Sequence, residues 1–218
     1  MSELLSLAGA RVLDLGCGAA EKSIELAQRT EVAAIVAAEV DQRQHAANSA
    51  RAPVPKVDFQ SFGAEAIAAE DAAFDLVLMF KSLHHVPVDL LDQALTELHR
   101  VLKPGGLAYI SEPVFAGAFN DVLRLFHDEQ AVRAAAFAAV GRAIERGLFE
   151  LVEERFFLTE MVLEDFGQFE RRVMQATHTD HNIDRAMHDR VRARFEAQRS
   201  ASGYRFEIPN RVDLLRRR

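Results

Sequence analysis

Residues Arg11 to Glu21, RVLDLGCGAAE, constrain the fold more than any other stretch of the chain. Val12, Leu13 and Leu15 form a short apolar run that stops at Gly16-Cys17-Gly18, and Ala20, Ile24 and Ala27 follow at helical spacing. The pattern predicts a buried parallel strand, a glycine turn and a helix over Ala19–Arg29. Glycine suits such a turn because it tolerates positive φ and lets the backbone approach a ligand with no Cβ in the way. The helix N-terminus behind the turn offers N–H groups without helical acceptors to an electron-rich ligand. The plainer alternative is a tight turn with no ligand. The third glycine of the dinucleotide fingerprint is missing, because Glu21 stands in its place. Asp14 is the distinctive residue: a carboxylate at the end of an apolar strand is costly to bury unless something pairs with it.

A chain of 218 residues with 49% apolar content can bury one full core, so a single domain over 1–218 is expected. No apolar run reaches the roughly 18 residues of a membrane span. No basic segment followed by an apolar one opens the chain, so a signal peptide is not expected. Cys17 is the single cysteine, which excludes an internal disulfide and fits a reducing cytoplasmic setting. A small residue filling the turn is the plain role for it. The net charge of −7 argues against an electrostatic grip on nucleic acid. The arginines near the C-terminus read as a solvated basic face.

Further along, 32–38 reads as a second buried strand that ends at Glu39, 21 residues after Gly18. An acid about 20 residues beyond the glycine turn is where nucleotide-binding βαβ units hold a ribose diol; Glu39-Val40-Asp41 offers two candidates, of which Glu39, at the strand end, is favoured. Gln42–Ala50 reads as a helix, Val57–Phe59 as a third strand and the strongly apolar Phe74–Phe80 as a central fourth. Asp89 is placed to cap a helix with Leu91, Ala94, Leu95, Leu98 and Leu102 along one face. Lys103-Pro104-Gly105-Gly106 stops that helix, and 107–111 is a fifth strand ending at Glu112. Asn120–Arg146 reads as one long helix, 151–158 as a sixth strand and 204–215 as a seventh. Between the last two strands, Phe166, Phe169 and Val173 suggest one amphipathic helix, and Ile183, Met187, Val191 and Phe195 another.

The segment DLGCG at Asp14–Gly18 resembles motif I of the class I S-adenosylmethionine-dependent methyltransferases. FDLVL, SLHHVP, RVLKPGG and the strand ending in SEP follow in the order and spacing of the small-molecule, type 11-like branch of that family. The resemblance covers about residues 11–115. It implies an α/β fold: a three-layer, Rossmann-like, mostly parallel sheet of seven strands, the last two forming an antiparallel edge. The core would span about residues 8–159 and 203–218, with a helical lid inserted at 160–202.

The resemblance also implies a function, the transfer of a methyl group from S-adenosylmethionine to a small-molecule acceptor, leaving S-adenosylhomocysteine. Asp14, Gly16, Cys17 and Gly18 would lie on the methionine and ribose side of the cofactor. Glu39 and Val40 would lie at the ribose hydroxyls, and Ala64 and Glu65 at the adenine. Phe80 would touch the cofactor from a strand end. The family commonly places Asp where this chain has Gly63. His84, His85 and Glu112 are candidates for taking the acceptor's proton. His178, Asp180, His181, Asp184 and His188 read as surface or lid residues, so no metal site is expected. The expected partner is a small molecule, with no nucleic acid and no membrane, in a monomer or homodimer. Two other functions stay open: a non-catalytic module that keeps the cofactor pocket, and a nicotinamide-dependent oxidoreductase.

Overall fold

A computed structural model describes residue 5 and residues 7–175, 183–200 and 203–218. His178, Asp180 and His181 lie outside the described residues. Among the described residues seven strands form one sheet: β1 (Arg11–Leu15), β2 (Ala34–Ala38), β3 (Val57–Gln60), β4 (Phe74–Phe80), β5 (Leu102–Pro113), β6 (Phe149–Leu163) and β7 (Tyr204–Arg217). Their order is β3-β2-β1-β4-β5-β7-β6, and the five strands from β3 to β5 in that order pair parallel with one another. The helices are α1 (Glu21–Arg29), α2 (Gln42–Ser49), α3 (Leu91–Val101), α4 (Gly117–Leu123), α5 (Gln130–Glu145), α6 (Phe166–Phe169) and α7 (Arg185–Glu196). A π-helical turn, Glu170–Met174, continues α6. This is the expected α/β fold. No helix among the described residues is long and apolar enough to cross a membrane.

Strand alternation builds two apolar layers, because successive side chains point to opposite faces. Val12, Ile35, Leu76, Leu78 and Tyr109 pack with Leu26 of α1 on one face. Leu13, Leu15, Val77, Met79 and Ile110 pack with Leu91, Leu95 and Leu98 of α3 and with Ala136 and Ala139 of α5 on the other. Asp14 follows the Val12 face by its position, so a carboxylate is buried on the α1 side.

Four local expectations change. The first helix begins at Glu21, because Ala20 sits in left-handed backbone at φ 56°. Asp89 does not cap α3: a short 3-10 turn, Val88–Leu90, precedes it, and Leu90 takes the cap position with no side-chain bond. Asn120–Arg146 is two helices, since the chain turns between α4 and α5, where Asp128 Oδ1 accepts from the Gln130 N–H at 3.0 Å. The sixth strand runs seven residues longer than the apolar pattern suggested, from Phe149 to Leu163.

The chain divides into two compact units. One comprises Met1–Glu112, Ala134–Arg155 and Val212–Arg218; the other comprises Pro113–Arg133 and Phe156–Arg211. The second unit has its own aromatic core of Phe166, Phe169, Phe195, Tyr204 and Phe206, with the rings of Phe195 and Tyr204 stacked at 4.3 Å. The residues expected to form a lid fall within this unit, together with Pro113–Arg133.

Candidate active site

Strand register brings the singled-out residues of the first unit to one end of the sheet. Leu15 pairs with Ala38 and with Met79, and Phe80 pairs with Ser111. Gly16, Glu39, Lys81 and Glu112 are therefore each the first residue beyond a paired position at the carboxyl ends of four adjacent parallel strands. Ligands of open α/β sheets bind there, at the point where strand order reverses, between β1 and β4.

The glycine turn is tied down by its neighbours. Gly16 N–H and Cys17 N–H both donate to the Ala38 carbonyl, at 2.9 and 3.0 Å. Gly16 sits at φ +67°, and a Cβ built on it would lie 2.5 Å from the Cβ of Ser82. Ser82 in turn donates to the Leu15 carbonyl at 2.7 Å, which stitches the β4 loop to the end of β1. Asn48 Nδ2 donates to the Gly18 carbonyl at 2.7 Å, and Arg51 donates to the Ala19 carbonyl at 2.7 Å. At Gly18, φ is +53° and a Cβ would meet open space. Lys81, the residue before Ser82, also holds left-handed backbone at φ 56°, a conformation a side-chain-bearing residue keeps only when its surroundings impose it.

Three of the predicted acids are buried here. Glu39 accepts the Gly18 N–H at 2.8 Å through one oxygen and the Asp41 N–H at 2.9 Å through the other, so its carboxylate is fixed against the turn. Asp14 is 1% exposed. Ser23 Oγ donates to its Oδ2 at 2.6 Å, and its Oδ1 has no partner among the described residues. Burial pushes the Asp14 carboxyl up to about 6; the Ser23 hydrogen bond opposes that shift and the Glu39 charge adds to it. Burial, with Asp14 and Glu39 nearby, pushes the Cys17 thiol up to about 12, which keeps it protonated and fits a small residue filling the turn.

Glu112 and His84 form a buried pair. His84 Nδ1 lies against Glu112 Oε2, and the other Glu112 oxygen accepts the Leu83 N–H at 2.9 Å. The His85 ring lies beside that of His84, 4.1 Å between centroids and tilted by 40°, and His85 is exposed. Phe80 packs its ring 5.6 Å from that of Tyr109. Ala64 is buried in the core layer that holds α3, whereas Val40 is 62% exposed. The Glu65 carboxylate folds back over Gly63: both its oxygens lie within 2.4 Å of where a Cβ on Gly63 would stand. Glu65 thus occupies the space that the family's usual Asp side chain would need.

Ser23, Asn48 and Ser82 escaped the reading of the sequence. Ser23 carried no signal, since nothing local ties residue 23 to residue 14. Asn48 could have been noticed as a polar residue in a helix of low apolar content that is nonetheless 1% exposed only in the fold.

Residues 12–106 match the family model of a methyltransferase domain. Methyltransferase GfsG from Streptomyces halstedii is 33% identical over 119 residues, which cover 53% of this chain and 42% of that protein. The ubiquinone biosynthesis O-methyltransferase from Pseudomonas aeruginosa (strain LESB58) is 35% identical over 116 residues, 51% of this chain and 47% of that protein. The chain thus matches less than half the length of these curated relatives. A solved S-adenosylmethionine-dependent methyltransferase from Methanosarcina mazei shares the fold, with a TM-score of 0.60 at 16% identity, over 99% of this chain and 95% of that one.

Proposed function

We propose that the chain, whose residues 12–106 match the family model of a methyltransferase domain, is a class I methyltransferase that transfers the methyl group of S-adenosylmethionine to an oxygen or nitrogen of a small molecule. The observation that carries the reading is the buried, half-paired Asp14 beneath a glycine turn that is open at Gly18. An orphaned carboxylate oxygen suits a ligand with cationic groups, and the open face at Gly18 suits close approach of a ligand to backbone. Glu39, held by two N–H groups, keeps lone pairs for the ribose hydroxyls. Gly16 and Cys17 complete the turn, and Val40, Ala64, Glu65 and Phe80 border the nucleoside, with Glu65 serving the adenine amino group in place of an acid at position 63.

The cofactor, once bound, supplies a methyl group on a sulfonium, ready for in-line displacement. The chain then aligns the acceptor and takes its proton. Alignment of reactants can be worth on the order of 7–11 kcal/mol. Proton removal falls to His84. Glu112 only accepts hydrogen bonds when ionised, so it fixes the His84 proton at Nδ1 and the basic lone pair at Nε2. Glu112 is then a positioning residue and His84 the general base, with His85 beside it at the acceptor.

Thermal unfolding of the wild type and of Asp14→Asn tests the pocket. The Asp14 carboxyl is raised by folding, so its stability contribution is full below its unfolded value near 4 and is lost as pH rises through about 6. Asp14→Asn removes that loss, which is at most roughly 3 kcal/mol. The ligand-free variant is therefore expected to melt several degrees above wild type at pH 8 and level with it below pH 4. S-adenosylhomocysteine at about 100 times its dissociation constant adds roughly 2.7 kcal/mol to the wild type, and the variant is expected to lose most of that gain. A wild type stabilised by NAD(H) and not by S-adenosylhomocysteine would point to the oxidoreductase instead.

A further inference from the structure

Among the described residues β6 ends the sheet with β7 as its neighbour, so its other edge offers backbone N–H and C=O groups that no described strand pairs. Proteins usually guard such an edge with charged side chains, Lys above all, with Pro or with a very short strand; here the charges are Glu150, Glu153, Glu154, Arg155 and Glu160, which include both signs and can pair with one another across two copies. This edge is 15 residues long, FELVEERFFLTEMVL, and contains neither Lys nor Pro. Leu151, Val152, Phe156, Phe157, Leu158 and Val162 are all exposed on it. They make up six of the nine large apolar side chains exposed among the described residues.

We infer that the β6 edge pairs, antiparallel, with β6 of a second copy of this chain. This goes beyond the catalytic reading and does not depend on it. A two-fold axis normal to the sheet keeps each side chain on its own face, so even positions meet even ones and odd meet odd. Charge selects among those registers. With the axis through Glu154, Arg155 stands opposite Glu153 of the partner subunit, and the same pair repeats by symmetry. Phe156 then meets Val152 of the partner subunit, and Phe157 meets Leu151 of the partner subunit. Within one strand Arg155 already reaches Glu153, at 2.6 Å, so both side chains lie on one face and are placed to share charge across the axis. The register leaves a single like-charge pair, Glu154 with its own copy. Opposed side chains in an antiparallel pair lie about 5 Å apart, close enough for these contacts to set the register.

Sedimentation velocity of the full chain over a concentration series tests this. The wild type is expected to pass from 24.3 kDa to twice that mass. Phe156→Lys, which puts a charge on the exposed edge, is expected to stay monomeric with an unchanged melting temperature. Arg155→Glu should weaken association at least tenfold, Glu154→Gln should strengthen it, and the double exchange Glu153→Arg with Arg155→Glu should restore it. A wild type monomeric throughout overturns the proposal, as does a dimer indifferent to Phe156→Lys. A double exchange no better than Arg155→Glu alone overturns the register.

Discussion

Glu112→Gln is expected to lower methyl transfer by on the order of 10²–10⁴-fold, the usual contribution of general acid–base catalysis. Affinity for S-adenosylmethionine and the melting temperature should barely change. Glutamine keeps the shape and can still accept the Leu83 N–H that Glu112 now holds at 2.9 Å. Its other terminal atom becomes an NH₂ donor where the carboxylate accepted. His84 Nδ1 faces that atom, so the ring must accept there and move its proton to Nε2. The basic lone pair then points at the wrong neighbour. The same logic makes a triad histidine lose its activity when its carboxylate becomes an amide. If the pair merely shaped the loop, kcat and stability would fall together, or neither would fall. The readout is therefore kcat alongside the melting temperature and the cofactor dissociation constant.

Gly16→Ala and Gly18→Ala are expected to fail in different ways. Both glycines have positive φ, +67° and +53°, so each substitution strains the backbone by roughly 1–3 kcal/mol. At position 16 the new Cβ also meets the Cβ of Ser82 at 2.5 Å, and Ser82 is held in place by its bond to the Leu15 carbonyl. Overpacking of that kind adds roughly 1–3 kcal/mol. For a domain of this size the sum, about 2–6 kcal/mol, lowers the melting temperature by roughly 4–24 °C. At position 18 nothing lies within 4 Å, so stability suffers only the backbone strain. The methyl group instead enters the space that a ligand would approach, and S-adenosylhomocysteine affinity should fall further than stability does. Unfolding curves with and without that ligand separate the two. Equal losses of stability would mean that Ser82 does not constrain the turn.

The local half of this architecture was legible in the residues. The strand, glycine turn and helix at 11–29 announce themselves because apolar period and glycine placement are short-range signals. The central β4 and the stop after α3 are equally local. What escaped depends on register. His84 and Glu112 are 28 residues apart in sequence and meet only because Phe80 pairs with Ser111. Gly18 and Glu39 meet because Leu15 pairs with Ala38. The break between α4 and α5 was written in Asp128, a residue type that hydrogen-bonds a backbone N–H two residues on. Regular apolar spacing on both sides hid it. The true length of β6 was hidden for a related reason: apolar and charged residues occur on both faces, so no alternation marks it.

Methyl-labelled S-adenosylmethionine tests the central claim most directly. The protein is incubated with it and a panel of small hydroxyl and amine compounds, and label in the compounds is counted against S-adenosylhomocysteine formed. One equivalent of label transferred per S-adenosylhomocysteine, lost in Glu112→Gln, is the expected result. Tight binding of S-adenosylhomocysteine with no label leaving the cofactor, for any compound, would contradict methyl transfer and leave a cofactor-binding module.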